Sequence, residues 1–133
     1  MAGDLQDAAE TLRTFALGLP EAEEAFPWGE RVVKVNKKIF VFFGLMEDLD
    51  KRLMVGVKLP QTGIYALQMP FVKPSTYNLG KHGWVTAQFA PGESLPLDLL
   101  MEWIEESYRT IAPKRLVARL AQAGDAQQAP EPR

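Results

Sequence analysis

Apolar residues recur at helical spacing near the start of the chain. Leu5, Ala8, Leu12, Phe15 and Leu19 share one face, and Gly18 and Pro20 stop the run. This predicts an amphipathic helix from Asp4 to Leu19. The period then changes. Val33 and Val35 flank Lys34 as in a half-buried strand, Asn36-Lys37-Lys38 is a turn, and "IFVFFG" (Ile39 to Gly44) is a second strand. Two strands on a short turn predict a hairpin. "EDLDKR" is a polar loop, and "LMVGVKL" (Leu53 to Leu59) is a third strand. Pro60 opens a short helix to about Met69, carrying Ile64, Tyr65 and Leu67 inward, and Pro70 ends it. "FVKPSTYNLGKHG" is loop-like, and "WVTAQF" (Trp84 to Phe89) is again a strand. Ser94 offers a cap, and Pro96 suits the first turn of the next helix. That helix has an apolar stripe of Leu97, Leu100, Met101, Ile104, Tyr108 and Ile111. Asp98, Glu102, Glu105 and Arg109 line its other side, with Glu105 and Arg109 paired at i, i+4. Pro113 breaks it, and "KRLVARLAQAG" is a final short helix ending near Gly124.

The expected order is helix, three strands, helix, one or two strands, helix, helix. Tight turns make the early strands antiparallel, and helices at both ends can cover one face. The fold class is α+β: two layers, with an antiparallel sheet under helices. The length of 133 residues suits one domain, expected over residues 1–124, with no internal repeat. The polar segment 125–133 is too short of apolar residues to fold by itself. No apolar run approaches the roughly 20 residues that span a bilayer. The acidic N-terminal stretch lacks a signal-peptide pattern, so a cytoplasmic protein without membrane partners is expected. Cysteine is absent, which excludes disulfides, thiolate metal sites and cysteine nucleophiles.

Charge is uneven. Residues 1–30 carry net −6, residues 31–92 net +6, and residues 93–133 net −2. The basic block holds Lys34, Lys37, Lys38, Lys58, Lys73 and Lys81, all on or beside expected strands and their turns. Such lysines can contact phosphates. They can equally be solvated faces or guards of sheet edges.

Candidate chemistry is sparse. No glycine loop cradles phosphate. "EAEEAF" and "EDLD" lack the calcium-loop pattern and are expected to be solvated turns. His82 is the single histidine and can act as a base, but no paired nucleophile lies near it in sequence. Trp28 in "FPWGE" and Trp84 are expected to pack, and with His82 they form the one conceivable pocket. The expectations are no catalytic residue, no metal and no cofactor.

Several stretches, in order, resemble the MmcQ/YjbR family of small bacterial proteins over about Leu5 to Leu120. They are "LRTFALGLPEAEEAFPWGE", "VVKVNKKIFVFF", "MVGVKLP", the "KHGW" turn and "WIEESYRTIAPKRL". Leu19-Pro20, the glutamates that follow, and Phe26-Pro27-Trp28-Gly29 match the family's opening pattern. Val35-Asn36-Lys37-Lys38 matches its hairpin. His82 and Trp84 match its histidine–tryptophan pair with Gly83 between them, and Ser107-Tyr108 its serine–tyrosine. The resemblance implies an α+β fold shaped like frataxin-like and secretion-chaperone-like domains. It also implies the family's DNA-binding, double-wing label, and it carries over no catalytic residue. The leading expectation is a non-enzymatic DNA-binding protein using Lys34, Lys37, Lys38, Lys58, Lys73, Lys81 and His82. The alternative is a protein-binding adaptor that uses the sheet face or the last helix.

Overall fold

The computed structural model describes residues 2–26, 31–45, 53–75, 82–90 and 93–120. The elements are α1 (Ala2–Leu17), β1 (Glu23–Ala25), β2 (Arg31–Val35), β3 (Lys38–Leu45), β4 (Leu53–Lys58), α2 (Gly63–Ala66), β5 (Val72–Pro74), β6 (Trp84–Phe89) and α3 (Leu97–Ile111). A further helical segment, α4, covers residues 114–120. The six strands form one antiparallel sheet in the order β1-β2-β3-β4-β6-β5. The α+β class expected from the sequence holds. Two short strands extend it: β1 forms in the glutamate stretch expected as a solvated turn, and β5 forms within the expected loop "FVKPSTYNLGKHG". Both sit at sheet edges, where a three-residue strand needs only one partner and Pro74 forfeits no ladder bond.

Register fixes the faces. Cross-strand partners share a side, so Val41, Val57 and Val85 form one row, and Phe43, Val55, Ala87 and Val72 the next. All are buried in the single core cluster with Leu12 and Ala16 of α1 and Leu100, Trp103, Ile104 and Tyr108 of α3. Helices therefore cover this face. The other face carries Lys34, Ile39, Phe42, Met54, Gly56, Lys58, Lys73, Trp84, Thr86 and Gln88.

The apolar run "IFVFF" does not alternate because β3 bulges. Val33 pairs with Val41 and Lys34 with Ile39, leaving Phe40 unopposed. An extra residue lets Phe40 and Val41 both turn inward, and both are fully buried. Phe40 meets Tyr108 edge to face at 5.2 Å. Its carbonyl accepts from the Ser107 hydroxyl at 2.6 Å, and the Ser107 hydroxyl oxygen accepts from the Lys58 N–H at 2.9 Å. Ser107, fully buried on the apolar face of α3, thus closes the end of the β3–β4 ladder.

Three local expectations are corrected. The second helix spans only Gly63–Ala66, and its buried residues are Gly63 and Ala66. Ile64, Tyr65 and Leu67, expected to point inward, are 68%, 67% and 42% exposed. One turn of helix can bury only the residues at i and i+3, and the glycine and alanine take those places. Ser94 does not cap α3: the N-cap is Pro96, with no side-chain capping bond. The Glu105–Arg109 pair forms at 2.8 Å, as the spacing predicts. Among the described residues no helix is long and apolar enough to cross a membrane.

Candidate nucleic-acid interface

Strand direction gathers the lysines. β2 ends at Val35, β3 begins at Lys38, β4 ends at Lys58, β5 ends at Pro74 and β6 begins at Trp84. In an antiparallel sheet all five points lie at one end. Lys34, Lys37, Lys38 and Lys58 are within two residues of that end, and Lys73 is one residue inside β5. His82 precedes β6 at the same end. Lys37, Lys38, Lys73 and His82 are exposed, and Lys34 and Lys58 are half-buried. From β2 to β5 is four strand steps, or about 19 Å at ~4.8 Å per step. Lys81 and Trp28 lie outside the described residues.

The tip of the β2–β3 hairpin is a tight two-residue turn. Asn36 and Lys37 both have positive φ, 52° and 68°. Two residues of that hand form the type I′ loop that matches strand twist. Asn36 tolerates the conformation; Lys37 is strained by its Cβ. None of the five described lysines forms an ion pair with a described carboxylate. The nearest acid by register is the exposed Glu23, opposite Lys34 on β1.

The described arginines are engaged elsewhere. Arg13 donates to Glu24 at 2.6 Å and to Glu10 at 2.7 Å, and Arg31 lies 3.1 Å from Glu24. The Arg13 hydrogen bond holds the Glu24 carboxyl below its ordinary range, against partial burial, and Glu24 in turn raises the Arg13 guanidinium. Arg115 and Arg119 meet Glu21 at 3.2 Å and 3.3 Å, and the Arg115 hydrogen bond lowers that carboxyl. Among the described residues, five lysines without ion pairs thus collect at the strand ends, whereas the arginines of α1, α3 and α4 are paired and the exposed Lys114 of α4 is not.

Trp84 is 8% exposed, and its ring meets Phe42 edge to face at 5.4 Å. It packs, as expected from the sequence. His82 hydrogen-bonds to no described residue. A groove of about 430 Å³ lies elsewhere, lined by Gln61, Glu102, Glu105, Glu106, Arg109 and Thr110. Among the described residues no group of three or more His, Asp or Glu can hold a metal ion.

Sequence reasoning missed two anchors of this region. Ser107 ties α3 to β3 and β4 beneath the lysine-bearing end. Glu106 accepts from the N–H groups of Gln61 and Thr62, both at 3.1 Å, and from the Thr62 hydroxyl, fixing the start of α2. The available signal was a hydroxyl within an apolar stripe: Ser107 lies three residues after Ile104 and four before Ile111.

Comparison with known proteins bears on the whole domain. The family model described as YjbR matches residues 17–110. The crystal structure of the Deinococcus radiodurans protein DR2400, with a DUF419 domain, superposes with a TM-score of 0.64 and 24% identity. The match covers 84% of this chain and 86% of that one, and shows a common fold. No curated protein matches.

Proposed function

The chain belongs to the YjbR family, and from that premise we propose that it binds nucleic acid through the lysines at the strand ends. One observation carries the proposal. Residues scattered from position 34 to position 82 meet at one end of the sheet, and their lysines form no ion pair with a described carboxylate. A patch about 19 Å wide matches a length of duplex that carries about eleven phosphates on its two strands together, at about one charge per 1.7 Å of axis. Lys37 and Lys38 stand on a tight hairpin turn, so ordering them on DNA costs less entropy than ordering a mobile loop. The paired charge and exposed acids of α3 disfavour approach from the helical side. The reading is non-enzymatic.

The expected affinity for duplex DNA is of order 10⁻⁴ to 10⁻⁶ M near physiological salt and tighter at low salt. The test is fluorescence anisotropy with labelled duplex. Lys37→Glu, Lys38→Glu and Lys73→Glu together should abolish binding and leave the melting temperature unchanged, since all three side chains are exposed and unpaired. Equal binding by wild type and the triple variant would refute the assignment.

A further inference from the structure

The outward face of α2 is odd for a one-turn helix. Ile64 and Tyr65 are each about two-thirds exposed, while Gly63 and Ala66 are buried beneath them. Gly63 lies against the sheet: a Cβ there would make ordinary contact with the Leu59 side chain at 3.6 Å and Val85 at 4.0 Å. Glu106 holds the helix start through three hydrogen bonds. Tyr65 is thus a flat apolar surface on a fixed mount, and its ring packs on no other described ring.

Its position is the second point. Leu59 N–H donates to the Gly83 carbonyl at 2.8 Å, extending the β4–β6 ladder beyond Lys58 and Trp84. Gly63 N–H then donates to the Leu59 carbonyl at 2.9 Å. So α2 begins one hydrogen bond beyond the strand ends. A Cβ on Gly83 would lie 3.8 Å from Pro60 Cα and 3.9 Å from Lys58 Cγ. Lys58, Gly83 and Pro60 are therefore neighbours at this end of the sheet, with His82 next to Gly83 and α2 three residues beyond Pro60. The nearby acids are partly occupied: Glu105 pairs with Arg109, and Glu106 is taken by Gln61 and Thr62, while the exposed Glu102 lines one groove with Gln61.

From this arrangement we propose that the preferred ligand is single-stranded nucleic acid, with an unpaired base stacked on Tyr65 and adjacent phosphates on Lys58 and the hairpin lysines. The inference rests on the reading of the lysines given above and adds the ligand's strandedness. A duplex keeps its base faces stacked inside, so it can use the lysines alone. A single strand also offers free π-faces, and stacking on an aromatic side chain contributes about 1–3 kcal/mol per base. That corresponds to roughly 5- to 150-fold in affinity.

The test compares a labelled oligothymidylate of about 15 nucleotides, long enough for one such site, with a duplex of equal length by anisotropy. Wild type should prefer the single strand. Tyr65→Ala should weaken single-strand binding at least about fivefold and leave duplex binding unchanged, and Tyr65→Trp should restore it. The lysine triple variant should weaken both. If neither oligonucleotide binds, the lysine assignment fails and this inference with it. If both bind but Tyr65→Ala alters neither, or both equally, the stacking inference is overturned while the lysine assignment stands.

Discussion

Replacing Ser107 by alanine isolates the one buried hydroxyl that joins helix to sheet. In the native protein its oxygen accepts from the Lys58 N–H and its proton goes to the Phe40 carbonyl. Phe40 is the bulged residue, so β2 offers no substitute. The β3–β4 ladder begins at Val41 and Val57, so β4 offers none either. Alanine leaves one N–H and one C=O without these partners in a region where Ser107 itself is fully buried. Each orphaned group costs about 1–3 kcal/mol. The carbonyl, with two lone pairs, falls at the low end. Shape changes little, so the cavity term is small. The expected loss is about 2–4 kcal/mol, which for a domain of this size lowers the melting temperature by about 6–16 °C. Urea unfolding followed by tryptophan fluorescence gives the free energy directly. Thr110→Ala is the control: its hydroxyl also bonds a backbone carbonyl, that of Glu106, but is exposed, and the expected loss is under about 0.5 kcal/mol. If Ser107→Ala costs no more than the control, the hydroxyl does not hold the ladder end.

Two further changes address the turn and the edge network. Lys37→Gly removes the Cβ strain at φ 68° and installs the asparagine–glycine pair favoured in type I′ loops. It should raise stability by about 0.5–1 kcal/mol, read from the urea midpoint, while weakening nucleic-acid binding. Glu24 has a depressed carboxyl pKa, caused first by its hydrogen bond from Arg13. A depressed acid stabilises the fold above its unfolded value, near 4.5, and that contribution is lost as pH falls through the folded value. The midpoint advantage of wild type over Glu24→Gln should therefore be full at neutral pH and shrink below about pH 4.5; a constant gap from pH 7 to pH 3 would contradict it.

The legible parts of the fold were those written in periodicity. Helix α1, the hairpin, β4, β6 and α3 follow from spacing alone, because each buries one face of a regular element. The failures fall where tertiary context overrides a local pattern. Glu23 and Glu24 form a strand because β2 offers an unpaired edge and Arg13 and Arg31 neutralise Glu24. Ile64, Tyr65 and Leu67 look like a core stripe, but one helical turn has room for only two inward residues. The lysines were visible as a basic block, whereas their convergence depends on strand order, which sequence does not encode locally. Ser107-Tyr108 was visible only as a family pattern. Its physical content lies in two hydrogen bonds of Ser107 to the sheet and one from the Tyr108 hydroxyl to the Pro20 carbonyl at 2.7 Å.

The central claim concerns location: nucleic acid meets the end of the sheet where β2, β4 and β5 finish and β3 and β6 begin. Titration of ¹⁵N-labelled protein with oligothymidylate, followed by amide chemical shifts, tests it residue by residue. The expected result is shifts at Lys34, Asn36, Lys37, Lys38, Lys58, Tyr65, Lys73 and His82, diminishing as salt rises, with Glu102, Arg115 and Arg119 unmoved. Shifts centred on α3 and α4, or none at any of the strand-end lysines, would contradict it.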